Sequence, residues 1–114
     1  MSKQQNPVLA ISITAIGAIA EYRFVTPAGV QAGAGVNTIG VSQYAVADTD
    51  VVAATIIGTA IIETGGAIDA GGLVESDASG RAIAKSTGVA VARALPDQSA
   101  AGAGEFIEVL LIAN

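Results

Sequence analysis

The stretch Val51-Val52-Ala53-Ala54-Thr55-Ile56-Ile57-Gly58-Thr59-Ala60-Ile61-Ile62-Glu63 decides the fold. Eight of its thirteen residues, Val51, Val52, Thr55, Ile56, Ile57, Thr59, Ile61 and Ile62, are β-branched, and such side chains pack better on a pleated surface than on a helix. The alternative is a helix with Asp50 as N-cap and Ala53 and Ala54 in its first turn. Gly58 stands mid-segment, where a helix would lose about 1 kcal/mol. The segment is therefore read as a strand, with the helix kept as the open alternative.

The rest of the chain supports that reading. Val and Ile number 25 against five Leu and one Met, so the first expectation is an all-β protein: a small β-barrel or β-tulip-like sandwich. At 114 residues the chain is one domain with one core and no room for a separate catalytic unit. Residues are 52% apolar but only 4% aromatic, so Ala, Val and Ile must fill that core. Each such side chain buries little area, and small cores of this kind often gain stability by oligomerising.

Residues 1 to 7 are polar, end in a proline and read as an extended N-terminal arm, with a single β domain over residues 8 to 114. Val8 to Ile13 alternates with period two and is expected to be a strand with one apolar face. Val8 to Ala20, ending in Ala18-Ile19-Ala20 behind Lys3, has the outline of a signal sequence. Ser12, Thr14 and Gly17 interrupt the run, and it is read as part of the fold. It is also too short for a transmembrane span, so no membrane partner is expected.

Further strands are expected at Ile19 to Val25 and Val36 to Val46, with Gly40 as a bulge or close approach. Tyr22, Phe24 and Tyr44 are expected to form a ring-rich patch. Asp77-Ala78-Ser79-Gly80 is a hairpin turn, since Asp suits its first position and Gly its positive-φ one. Gly88 to Ala94 and Phe106 to Ile112 read as the closing strands, the last so apolar that it is expected to be buried on both faces or in a subunit contact.

Chemistry finds little to stand on. The chain has no cysteine and no histidine, which removes thiolate sites, the commonest general base and the usual metal ligand. Five basic and ten acidic residues give a net charge of −5 with no basic cluster, so direct nucleic-acid binding is not expected. Gly33-Ala34-Gly35 opens like a dinucleotide fingerprint, but Thr38 stands where the third glycine belongs. Lys85-Ser86-Thr87 follows Ala84 rather than the glycine of a phosphate loop, and in a strand Lys85 and Ser86 would face opposite ways. Lys85 as a carrier of a lysine-linked cofactor is a remote third reading. The acids Asp48 with Asp50, Asp69, and Glu75 with Asp77 are read as solvated turn residues rather than an acid–base pair or a calcium site. No enzyme activity and no cofactor are expected.

The order and spacing of Thr26-Pro27-Ala28-Gly29-Val30, Ile68-Asp69-Ala70-Gly71-Gly72-Leu73-Val74, Ser76-Asp77-Ala78-Ser79-Gly80-Arg81, Gly88-Val89-Ala90-Val91-Ala92 and Phe106 to Ile112 resembles the bacteriophage capsid cement or head decoration proteins. That is a family of small β-domains formerly of unknown function, and the resemblance runs over roughly residues 22 to 112. It implies a compact barrel or tulip sitting as a homotrimer on the outer surface of a phage head, made in the host cytoplasm. There it would stabilise contacts between subunits of the major capsid protein. Residues 1 to 20 form a longer head than the family pattern.

On this reading Lys3, Gln4, Gln5, Pro7 and Val8 are expected to touch the capsid, an extended arm being suited to strand addition. Phe106, Val109 and Leu111 are expected at the subunit interface. The alternative, prompted by the signal-like start and the Val/Ile-rich strands, is a secreted or cell-surface self-assembling structural β-protein.

Overall fold

The computed structural model describes residues 5–114. Among them no helix occurs. Eight strands run β1 (Pro7–Thr14), β2 (Phe24–Val25), β3 (Gly40–Ser42), β4 (Val51–Glu63), β5 (Leu73–Ser76), β6 (Ala82–Ala84), β7 (Ala92–Ala94) and β8 (Phe106–Leu111). They form one antiparallel sheet in the order β2-β3-β4-β8-β7-β5-β6, with β1 added on β4. The sheet curls until its ends meet. Phe24 N donates to Gly80 O at 2.8 Å, and a parallel bridge joins Thr64 to Ala82. The result is a small, nearly closed β-barrel.

The thirteen residues of β4 are the common wall. Its first half pairs with β1, Ile11 opposite Ala54 and Ile13 opposite Val52, and with β3, Val41 opposite Thr55. The second half pairs with β8, Ala60 opposite Val109 and Ile62 opposite Ile107. Between them Gly58 takes φ +107°, a value only glycine adopts without strain. Val52 and Ala54 before the bend and Ala60 and Ile62 after it are fully buried, the period-two alternation of a one-sided strand, which is interrupted at the bend, where Thr55 is buried beside Ala54 and Ile56 is not.

The main core collects Phe24, Val41, Ile62, Ile68, Val74, Val91, Ile107 and Val109 with small alanines between them. A second, smaller cluster of Ala15, Ile19, Val25 and Val52 lies at the end where β1 turns away. Ala15 and Ile19 of the signal-like run are buried there, while Val8, Leu9 and Ile16 of the same run are exposed. Phe24 is the one fully buried aromatic. The expected ring-rich patch is a different one: Tyr22 packs edge-on against Phe106 with centroids 5.7 Å apart, while Tyr44 is exposed and its hydroxyl accepts from Ala53 N.

Two expected strands shorten sharply. Ile19 to Val25 yields only Phe24–Val25, because the chain turns at Glu21–Tyr22, where Tyr22 has φ +57°. Val36 to Val46 yields only Gly40–Ser42, at the point of the close approach expected for Gly40. A Cβ there would stand 2.2 Å from Thr55 O.

Candidate interaction surface

The acids do not converge. Asp48 Oδ1 accepts from Gly17 N, Asp50 and Asp69 are exposed, and Asp77 Oδ1 accepts from Ser79 N and Arg81 N, which holds the β5–β6 turn. Among the described residues no group of three or more Asp or Glu could hold a metal ion. One of these carboxylates departs from the solvated reading, and a second, in the closing strand, is buried as well. Glu75 is buried, 6% exposed, and its Oε1 accepts from Ser86 N and Gly88 N. Glu108 is also buried and its Oε2 accepts from Thr59 Oγ1 at 2.7 Å. Both serve as internal acceptors, since buried polar groups need partners. The burial of Glu75 was hidden because a Glu beside turn residues does not reveal the loop that folds over it.

Arg23, Glu63, Arg81 and Asp77 form a half-buried ionic chain across the barrel seam. Glu63 Oε1 lies 3.2 Å from Arg23 Nη2, Glu63 Oε2 lies 3.7 Å from Arg81 Nη1, and Arg81 Nε donates to Asp77 Oδ2 at 3.3 Å. Arg23 Nη1 and Gln31 Nε2 both donate to Ser79 O. The hairpin turn is thereby clamped to β2, completing what the Phe24–Gly80 bond begins. These groups hold the seam of the barrel closed.

What the surface offers is apolar. Among the described residues ten large hydrophobic side chains are exposed, and five of them are on or beside β1 and β4, Val8, Leu9 and Ile57 at one end of the strand pair and Ile16 and Val51 at the other. Val8 is 76% exposed. Leu9 faces Ile57 across the strand pair and Thr14 faces Val51. The expected single buried face of β1 is realised only in part. Ile11 and Ile13 are half-buried over Ala54 and Val52, and the other six strand residues are exposed.

Of the residues expected at the capsid, Lys3 and Gln4 lie outside the described residues. Gln5, Pro7 and Val8 fall at the start of this surface, where Asn6 N donates to Thr59 Oγ1 and Thr59 N donates to Asn6 O. The sheet thus begins at Pro7, one residue before the expected boundary of the arm. Of the residues expected between subunits, Phe106 is 38% exposed and Leu111 is half-buried. Leu111 borders a groove of about 260 Å³ with Ile56, Val91 and Asn114. Val109 requires a correction: it is fully buried, because alternation along β8 turns it and Ile107 into the barrel, so it serves the core and has no surface to offer. Sequence reasoning did not single out Leu9, Ile16, Val51 or Ile57. The available signal was the lack of charge in both segments.

No protein-family model matches the chain, and no curated protein does. Among solved structures, the barrel is similar to the N base of the head fiber protein gp8.5 of bacteriophage phi29, with a TM-score of 0.72 and 17% identity over 91% of this chain and 95% of that one. At that identity the likeness is one of fold, and it extends over nearly the whole of both chains.

Proposed function

We propose that the protein is a non-enzymatic structural component of a bacteriophage head. In this reading it sits on the outer surface as a decoration or cement protein and stabilises contacts between major capsid protein subunits. The observation that carries it is the end-to-end likeness of the barrel to a phage head fiber base. Independent support comes from a chain with no histidine, no cysteine and no basic cluster, whose conspicuous surface is apolar. Protein contact is what such a surface does well.

Gln5, Pro7 and Val8 are the described residues proposed to meet the shell. Many copies of a modest contact would together hold firmly, since repetition on a lattice multiplies weak binding. The test is direct. Purified protein mixed with heads of the encoding phage, stripped of it, should pellet with them to a saturating stoichiometry and raise their resistance to heat. Heads that neither bind nor gain stability would remove the proposal.

A further inference from the structure

We infer that the groove between the start of β3, the middle of β4 and the end of β8 binds a small uncharged ligand, apolar except for one hydroxyl that pairs with the hydroxyl of Thr38. The inference goes beyond the phage-head reading and does not depend on it.

Thr38 is the odd one among the buried hydroxyls. Among the described residues the buried serine and threonine side chains are Thr38, Ser42, Thr55, Thr64 and Ser76. All but the first have a partner within the chain. Ser42 Oγ donates to Ala20 O, Thr64 Oγ1 to Gly102 O and Ser76 Oγ to Asp77 O, while Thr55 Oγ1 accepts from Gln43 Nε2. Buried polar side chains are ordinarily satisfied in this way. Thr38 is only 7% exposed, yet its hydrogen bond is a backbone one, Thr38 N donating to Asn114 Oδ1 at 2.9 Å. Its hydroxyl is not sealed from solvent, so it opens on the groove that Thr38 lines.

The groove is built to receive something apolar around that hydroxyl. It has a volume of about 260 Å³, and its walls include the aliphatic side chains of Pro27, Ile39, Ile56, Val91 and Leu111. Ile112 N donates to Val91 O, and with Asn114 Oδ1 on Thr38 N this holds the end of the chain as one rim. At Gly40, which also lines the groove, β3 is pressed on β4: a Cβ there would stand 3.0 Å from Ile56 Cγ2. Rim and floor are therefore in place before any ligand arrives. Apolar walls with one placed polar group are the usual make-up of a small-ligand site.

Size and chemistry define the ligand. An apolar cavity of about 150 Å³ accepts a benzene ring, so this groove has room for a ring with a short substituent. No charged side chain lines it, and an ionised ligand would give up hydration there with no counter-charge in return. A ligand hydroxyl, by contrast, can either donate to Thr38 Oγ1 or accept from it.

The test uses 4-ethylphenol, ethylbenzene and 4-ethylbenzoate, titrated into isotope-labelled protein and followed by amide chemical shifts. 4-Ethylphenol should move the amides of Thr38, Ile56 and Leu111 with a Kd of about 1 mM, as expected for so small a ligand, and 4-ethylbenzoate should not. Thr38→Val removes the hydroxyl and keeps the shape. It should weaken 4-ethylphenol about fivefold and leave ethylbenzene unchanged, while Thr38→Ser, which keeps a hydroxyl, should bind 4-ethylphenol like wild type. A Thr38 that merely supports the fold would alter both neutral probes alike. The comparison of phenol with benzoate needs no variant, so it decides even if Thr38→Val does not fold. Amide shifts absent up to the solubility limit, shifts centred on residues outside the groove, benzoate bound as tightly as the phenol, or equal weakening of the phenol and ethylbenzene by Thr38→Val would each overturn the inference.

Discussion

Gly88 and Gly35 meet backbone to backbone above the carboxylate of Glu75. A Cβ on Gly88 would stand 2.4 Å from Gly35 Cα and 2.5 Å from Glu75 Oε2. The loop before β7 is thereby pressed on the loop before β3, and Val89 N donating to Gly35 O at 3.1 Å fastens them. Gly88→Ala must push backbone against backbone, which typically costs about 1–3 kcal/mol when a packed interior cannot yield. Urea unfolding should show the midpoint falling with an unchanged slope. A midpoint equal to wild type would mean that the two loops separate freely.

Glu75 itself is the next test. Its Oε1 receives Ser86 N and Gly88 N at a side chain only 6% exposed. Glu75→Ala strands those donors, at a cost of about 1–3 kcal/mol, whereas Glu75→Gln keeps an oxygen able to accept and should lose less. Amide exchange at Ser86 and Gly88 should accelerate in the alanine variant more than elsewhere. Uniform acceleration across the barrel would contradict a local role.

At the seam, Glu63 sits between Arg23 and Arg81 with side chains 18–30% exposed. An exposed pair contributes about 0–1 kcal/mol, while breaking a buried one costs about 3–5 kcal/mol. Half-burial places Glu63→Ala between these, at about 1–2 kcal/mol. A double-mutant cycle of Glu63→Ala with Arg23→Ala measured at two salt concentrations checks it. Zero coupling at low salt would show that the Phe24–Gly80 and Ser79 backbone bonds close the barrel unaided.

The sequence was most readable where one segment's chemistry decides its own conformation. β4 is a strand because eight β-branched residues make it one, and Asp77 to Gly80 turns because Asp77 Oδ1 caps Ser79 and Arg81 while Gly80 takes φ +75°. Reading failed where a distant contact rules. Tyr22 occupies a left-handed conformation and its carbonyl accepts from Glu63 N, which ends the strand expected from Ile19; no neighbour in sequence signals this. Alternation in β1 correctly marks a strand that prefers burial. It does not say which chain does the burying, and within this chain Val8 and Leu9 remain uncovered. Likewise Val109 and Leu110 look equally suited to an interface in a run of apolar residues, and only the register on β4 separates the buried one from the exposed one.

Gly58 governs how the start of β1 is seated. Its φ is +107°, and a Cβ there would lie 2.4 Å from Asn6 O, 2.8 Å from Val8 N and 3.3 Å from Pro7 Cα. Gly58→Ala therefore combines a strained backbone, which costs about 1–3 kcal/mol, with a collision against the segment that pairs with Thr59. The clash is with backbone atoms, so rotamer changes cannot relieve it. Relief comes by lifting residues 6–9 from β4, which breaks the reciprocal Asn6–Thr59 bonds. The far end of β1, where Ile13 covers Val52, has no part in that collision. Exchange should therefore quicken at Asn6 and Leu9 while Ile13 keeps its protection, and global stability should fall by no more than the strain itself. If both ends of β1 exchange together, the strand detaches as one unit and Gly58 is no hinge between them; if neither changes, the first residues are not held by β4 at all.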